Sequence, residues 1–228
     1  DCASYANIYT GIALNVSQEK FYSSSIAITA SEEQCDIQTN GIPNHDFNDF
    51  SAYFVHDVSP IDRSFTIPRR PFFSNLNTDL SQNSWDAIML NGVVMDLLSA
   101  GCYRPNAPEA NSSGNVQAGC QLDDETWLLD PLAPNNSFGT DSHNAHTQPD
   151  GTYHYHGNPL AMFEFGDSDE TSPVIGFAAD GFPIYGSYFL DNGEIRKALS
   201  SYRLRDNSGA RPEKDEERFS VLTDRHNV

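Results

Sequence analysis

Residues 86–96, DAIMLNGVVMD, constrain the fold more than any other stretch. An apolar run, Asn91-Gly92 and a second apolar run predict a tight β-hairpin with a type I′ turn, because both turn positions need a left-handed backbone. Loosely alternating residues at 5–16, 21–30, 53–58 and 64–68 read as further strands. Two more strands, 174–178 and 184–188, are expected about Asp180-Gly181. Residues 97–102 predict one helical turn, 127–132 should re-enter the core, and 194–201 is the one plausible full helix. These elements add up to a mainly β chain, a single-domain β-sandwich or distorted barrel with short helical segments. Residues 1–34 form an N-terminal strand segment, packed on its own domain or exchanged with another copy, ahead of a β domain over 35–228.

The chemistry concentrates in HNAHTQPDGTYHYH, residues 143–156, which holds four of the seven histidines. Tyr153 to His156 is a β-favouring run bounded by Asp150-Gly151 and Gly157-Asn158-Pro159, so it predicts a short strand. Alternation sends His154 and His156 to one face and the two tyrosines to the other. Same-face residues two apart on a strand are ~7 Å apart along the chain, close enough for their side chains to converge on one ion. A turn through 147–151 would bring the pair His143 and His146 back to face that strand, where they could complete a nitrogen-rich site. The competing reading is four imidazoles, each satisfied by its own hydrogen bond.

DGTYHYHGNP and AADGFPIYG, together with NGIPNH at 40–45 and LNGVVMD at 90–96, resemble the YHYH family of secreted proteins. The resemblance covers roughly residues 35–205 and brings a domain type without an established activity. It also draws His45, in NGIPNH, into the candidate ligand set. Asp180, held at the corner of a turn, is a turn former, a partner that orients a histidine, or a direct ligand. His56 reads as an ordinary strand residue and His226 as part of the tail.

Charge narrows the partners. With 32 acidic against 13 basic residues the formal net charge is −19, which repels nucleic acid and anionic membranes alike. Cys2, Cys35, Cys102 and Cys120 make no zinc-knuckle spacing and predict two disulfides, sequential pairing being favoured among three connectivities. No run of about 18 apolar residues occurs. A mature secreted chain that has lost a signal peptide is the expectation. Asn15, Asn111 and Asn135 head Asn-x-Ser sequons for glycans.

The expected function is therefore a secreted metal-binding protein. Imidazole-rich sites suit copper or zinc, with copper favoured by its place in the divalent affinity order and calcium a weaker alternative for want of hard oxygen donors. The expected ligands are His154, His156, and His143 or His146, with His45 and Asp180 in support. Two alternatives stay open. One is a metal-dependent hydrolase or carbohydrate-binding protein, with Asp150, Asp180 or Glu164 as base or Tyr153 and Tyr155 stacking on sugar rings. The other is an extracellular filament subunit assembled by N-terminal strand exchange.

Overall fold

The computed structural model describes residues 1–74, 83–112, 114–116, 127–132, 139–163, 170–199, 202–204 and 220–222. Cys120, Asn135, Glu164 and His226 lie outside the described residues, and with them the expected Cys102–Cys120 bridge and the Asn135 sequon.

Strands β1 (Asn7–Asn15), β2 (Lys20–Ala30), β3 (Gln34–Thr39) and β4 (Arg63–Pro68) form an antiparallel sheet in sequential order. Its inward face carries Ile26, Ile28, Ile37 and Ile67, each 3 % exposed or less. A disulfide between Cys2 and Cys35 ties the 3-10 turn at Cys2–Tyr5 to β3. β5 (Ala87–Met89) and β6 (Val94–Met95) make the expected hairpin. A small patch then follows from β7 (Cys102–Tyr103), β8 (Asn115–Val116) and β9 (Trp127–Leu128). The second large sheet adds β10 (Ala145–Thr147), β11 (Tyr153–Tyr155), β12 (Val174–Ala178) and β13 (Pro183–Tyr185), in the order β10-β11-β6-β5-β12-β13. Only the β11–β6 pairing in it is parallel. β14 (Tyr188–Asp191) with β15 (Glu194–Lys197), and β16 (Tyr202–Leu204) with β17 (Ser220–Leu222), are separate antiparallel pairs.

The two large sheets pack against each other, and neither closes into a barrel. One face of the second sheet supplies Ile88, Val94 and Phe177 to the cluster built on Ile26, Ile28 and Ile37. The opposite face, with Met89, Tyr153 and Tyr155, is covered by Ile42, Phe47 and Val58 from the irregular chain after β3. The β5–β6 turn abuts the first sheet: a Cβ on Gly92 would stand 3.3 Å from Cβ of Ile26 and closer still to Thr39, whose hydroxyl donates to Gly92 O at 2.9 Å.

That turn differs from the expected type. Gly92 has φ +86° but Asn91 does not take a positive φ, and Gly92 N–H bonds Met89 O while Met89 N–H bonds Val93 O, both at 2.9 Å. The loop is therefore three residues long, a type I turn closed by a left-handed glycine. The same pattern recurs at 179–181, where Gly181 has φ +89°. A two-residue turn with both positions left-handed occurs instead at Asn192-Gly193, φ 51° and 87°, joining β14 to β15. It overrides the helix expected over 194–201: Glu194–Lys197 is a strand, because this turn aims the chain straight back along β14. Residues 53–58 form no strand either, being a loop whose Val58 is buried under the Tyr22 hydroxyl and whose His56 carbonyl accepts from Thr147. Residues 97–102 bend without a helical turn.

Candidate metal centre

The strand at 153–155 and its continuation to His156 place the histidines as alternation requires. β10 runs antiparallel to β11 with His146 opposite His154, so the turn through 148–151 does fold the chain back. Gln148 N–H bonds Thr152 O and Gly151 N–H bonds Gln148 O, and Gly151 takes φ +91° to close the turn. His156 is fixed just beyond the strand, its N–H bonded to Asn144 O at 2.9 Å.

Three imidazoles meet there. Nε2 of His156 lies 3.0 Å from Nε2 of His154 and 3.0 Å from Nε2 of His146, and all three rings are buried, at 4 %, 1 % and 7 % exposure. The opposite nitrogens are spoken for. Nδ1 of His154 faces Thr152 O at 3.2 Å, Nδ1 of His156 faces Leu97 O at 2.5 Å, and His146 donates to the Gly139 carbonyl. A carbonyl only accepts, so each outer nitrogen carries the proton, and in a neutral ring the inward Nε2 is then a bare lone pair. Burial keeps the rings neutral. It holds His146 down to about 3, with the charge of His156 adding to the effect. It also lowers His154 well below the usual range, helped by His146 and His156, and lowers His156.

Bare lone pairs 3.0 Å apart repel, and a cation among them reverses the sign. The spacing is of the right order: nitrogens ~2.0–2.1 Å from a tetrahedral ion sit ~3.3 Å from one another, and the three ring nitrogens lie within 4.8 Å of one another, two of the pairs at 3.0 Å. Among the described residues this is the one group of three or more His, Cys, Asp or Glu with metal-holding geometry. Around it, Trp85 packs 5.8 Å from the His154 ring, and Arg63 lies over Trp85 at 5.3 Å. Arg63 also donates to Thr152 Oγ1 at 2.7 Å, next to the carbonyl that orients His154.

Within this geometry the signature tetrapeptide supplies two of the three converging imidazoles and the strand opposite supplies the third. A match to the family model for YHYH proteins spans residues 64–224, most of the chain. The chain belongs to the YHYH family. No curated relative and no solved structure matches it.

The other expected site residues of this YHYH chain lie elsewhere. His143 sits in a turn closed by Asn144 N–H to Asp141 O, with Asn144 at φ 61°, and faces the tyrosine side of the sheet. There its ring lies 4.3 Å from that of His45. His45 Nδ1 donates to Asp46 O, so its Nε2 accepts from Tyr155 OH at 2.5 Å, and Asn91 Nδ2 donates to the same phenol oxygen at 2.9 Å. Tyr153 OH donates to Asp141 Oδ2 at 2.8 Å. Both tyrosines are buried, at 1 % and 0 %, so they are core residues rather than sugar platforms. Asp180 is exposed in the turn before β13, where its carboxylate accepts from Phe182 N–H at 3.4 Å. Asp150 is exposed and tied to Arg63 at 3.2 Å. Sequence reasoning missed Trp85, Arg63 and Thr152, since nothing in their local sequence marks them as neighbours of a histidine 2–91 positions away.

Proposed function

We propose that this YHYH protein acts outside the cell as a carrier of one metal ion, copper in preference to zinc, on Nε2 of His146, His154 and His156. The observation that carries this reading is the backbone carbonyl set against the outer nitrogen of each of three buried rings, which leaves the inner nitrogens bare and facing one another. An all-imidazole donor set suits copper and zinc and gives calcium none of the oxygen it needs. The buried Cys2–Cys35 bridge supports an oxidising compartment. In such a compartment Asn111, which is exposed, is the glycan acceptor to expect, whereas Asn15 is fully buried and bonded to Gln18 and Asn48.

Elemental analysis of the protein purified without added metal tests the proposal. Copper or zinc near one per chain in the wild type, and background in the His154→Ala, His156→Ala double variant, is the expected result. Background metal in the wild type, also after equilibration with either ion, overturns it.

A second reading rests on the ligand count. Three imidazoles leave a fourth position on the ion, the arrangement in which a metal activates water for hydrolysis. Hydrolytic turnover that stops with a chelator and returns with added ion would favour that reading over simple carriage.

A further inference from the structure

Among the described residues β1 is an edge strand with an open outer side. On that side the end of the strand is covered, since Leu14 N–H bonds Asp46 Oδ1, Phe47 N–H bonds Leu14 O, and Val16 N–H bonds Phe47 O. These bonds show which way the backbone points: Leu14 turns its N–H and C=O away from β2, and alternation turns those of Ile8, Thr10 and Ile12 the same way. Ile8 N–H is held only by the adjacent Asn7 side chain, at 2.8 Å. Among the described residues nothing bonds the outward groups of Thr10 and Ile12.

The devices that usually blunt such an edge are missing. Residues 2–18 contain no charged side chain and no proline, in a chain of net charge −19, and β1 pairs with β2 over nine residues without a bulge. Ile8, Ile12 and Phe21 share its outer face, with Phe21 opposite Leu14, and are exposed by 72 %, 70 % and 70 %.

We propose that β1 pairs antiparallel with β1 of a second copy of this chain, about a two-fold axis through Thr10. The covered end of the strand selects this register, because the free stretch is 8–12 and its midpoint is residue 10. Thr10, whose donor and acceptor both face outward, then meets Thr10 of the other copy in a hydrogen-bonded pair. Ile8 of each copy lies opposite Ile12 of the other, joining four isoleucines in one apolar patch. Tyr9 lies opposite Gly11, a large ring against the residue with no side chain. The contact is closed, since each copy uses up its one open β1 edge, and assembly stops at two, unlike head-to-tail strand exchange. It is independent of the metal reading. The copies repel through their net charge while the joined edge is neutral, so salt strengthens the pair.

Sedimentation of the full chain over a range of concentrations tests the proposal. The expected result is a monomer–dimer equilibrium that tightens between ~0.1 and ~1 M salt, as the screening length falls from ~10 to ~3 Å. Ile12→Lys weakens it by about tenfold or more, and Thr10→Pro, which removes an N–H with no partner among the described residues, does the same while both variants keep the wild-type circular dichroism. A nitroxide on Thr10→Cys reads a single short distance across the axis. A wild type that stays monomeric in high salt, a dimer indifferent to both substitutions, or filaments that keep growing would each overturn it.

Discussion

Tyr155 donates its phenolic proton to Nε2 of His45 across 2.5 Å, linking the signature strand to the NGIPNH loop 110 residues earlier. The same oxygen accepts from Asn91 in the β5–β6 turn, so one hydroxyl joins three of the motifs that stand out in the sequence. Tyr155→Phe leaves a buried Asn91 amide and the His45 nitrogen without that partner. Chemical denaturation should show a loss of about 1–3 kcal/mol. The three-histidine site, on the other face of the strand, should keep its metal stoichiometry. Unchanged stability would mean that water replaces the hydroxyl without penalty.

Gly92→Ala tests the packing of the two sheets. The residue has φ +86°, and an added Cβ would press on Thr39 and stand 3.3 Å from Cβ of Ile26. Backbone strain and the steric cost act together, and destabilisation of about 1–3 kcal/mol is expected. Gly193→Ala is the control: its φ is +87° but nothing lies within 4 Å, so only the strain should appear. Equal losses for the two variants would show that the contact with the first sheet contributes nothing.

What was legible in the sequence is what local periodicity controls. β1, β2, β4 and the hairpin at 86–96 follow from alternation and turn residues, and so does the division of His154 and His156 from Tyr153 and Tyr155. Of the upstream pair, His146 is cross-strand to His154, whereas His143 lies in a turn that rotates it to the opposite side. A spacing of three could not decide that, because the outcome hangs on a left-handed Asn144. β3 escaped notice because Gln34–Thr39 mixes polar and apolar residues and is held by ladders on both sides. The apparent helix at 194–201 lost to a two-residue turn whose Asn-Gly pair was present in the sequence all along. The carbonyls of Thr152, Leu97 and Gly139, which set the tautomers, carry no sequence signal of any kind.

Arg63→Ala should weaken metal binding without touching a ligand. The guanidinium bonds Thr152 Oγ1 and Asp150 and stacks on Trp85, fixing the residue whose carbonyl orients His154. Groups that orient a ligating imidazole typically change affinity by about 10–100-fold. Competition against a chelator of known affinity measures the shift. Arg63→Lys keeps the charge but loses the planar fork, and should recover only part of the binding. A wild-type affinity in Arg63→Ala would assign the orientation of His154 to the backbone alone.

Without metal, the three rings should remain neutral well into acid, with the proton on Nδ1. Burial holds His146 down to about 3 and His45 down to about 4, against an ordinary value of 6.5. The folded chain therefore binds fewer protons than the unfolded chain between these values and 6.5, so stability from these groups is complete above 6.5 and is lost as pH falls through that window. Asp96, pushed up to about 6 by burial, acts with the opposite sign, its contribution being lost as pH rises from 3.8 toward 6. Stability is thus a mixed readout, and the ring nitrogens are the cleaner one. Nitrogen-15 shifts of His146, His154 and His156 should show an unprotonated Nε2 at neutral pH, and His146 should remain neutral at pH ~5. Protons then offer little competition, so the metal-loaded protein should keep its ion at that pH. An ordinary titration of His146 near 6.5, with both nitrogens protonated at pH ~5, would mean that its ring is solvated and that no preformed trio of bare nitrogens exists.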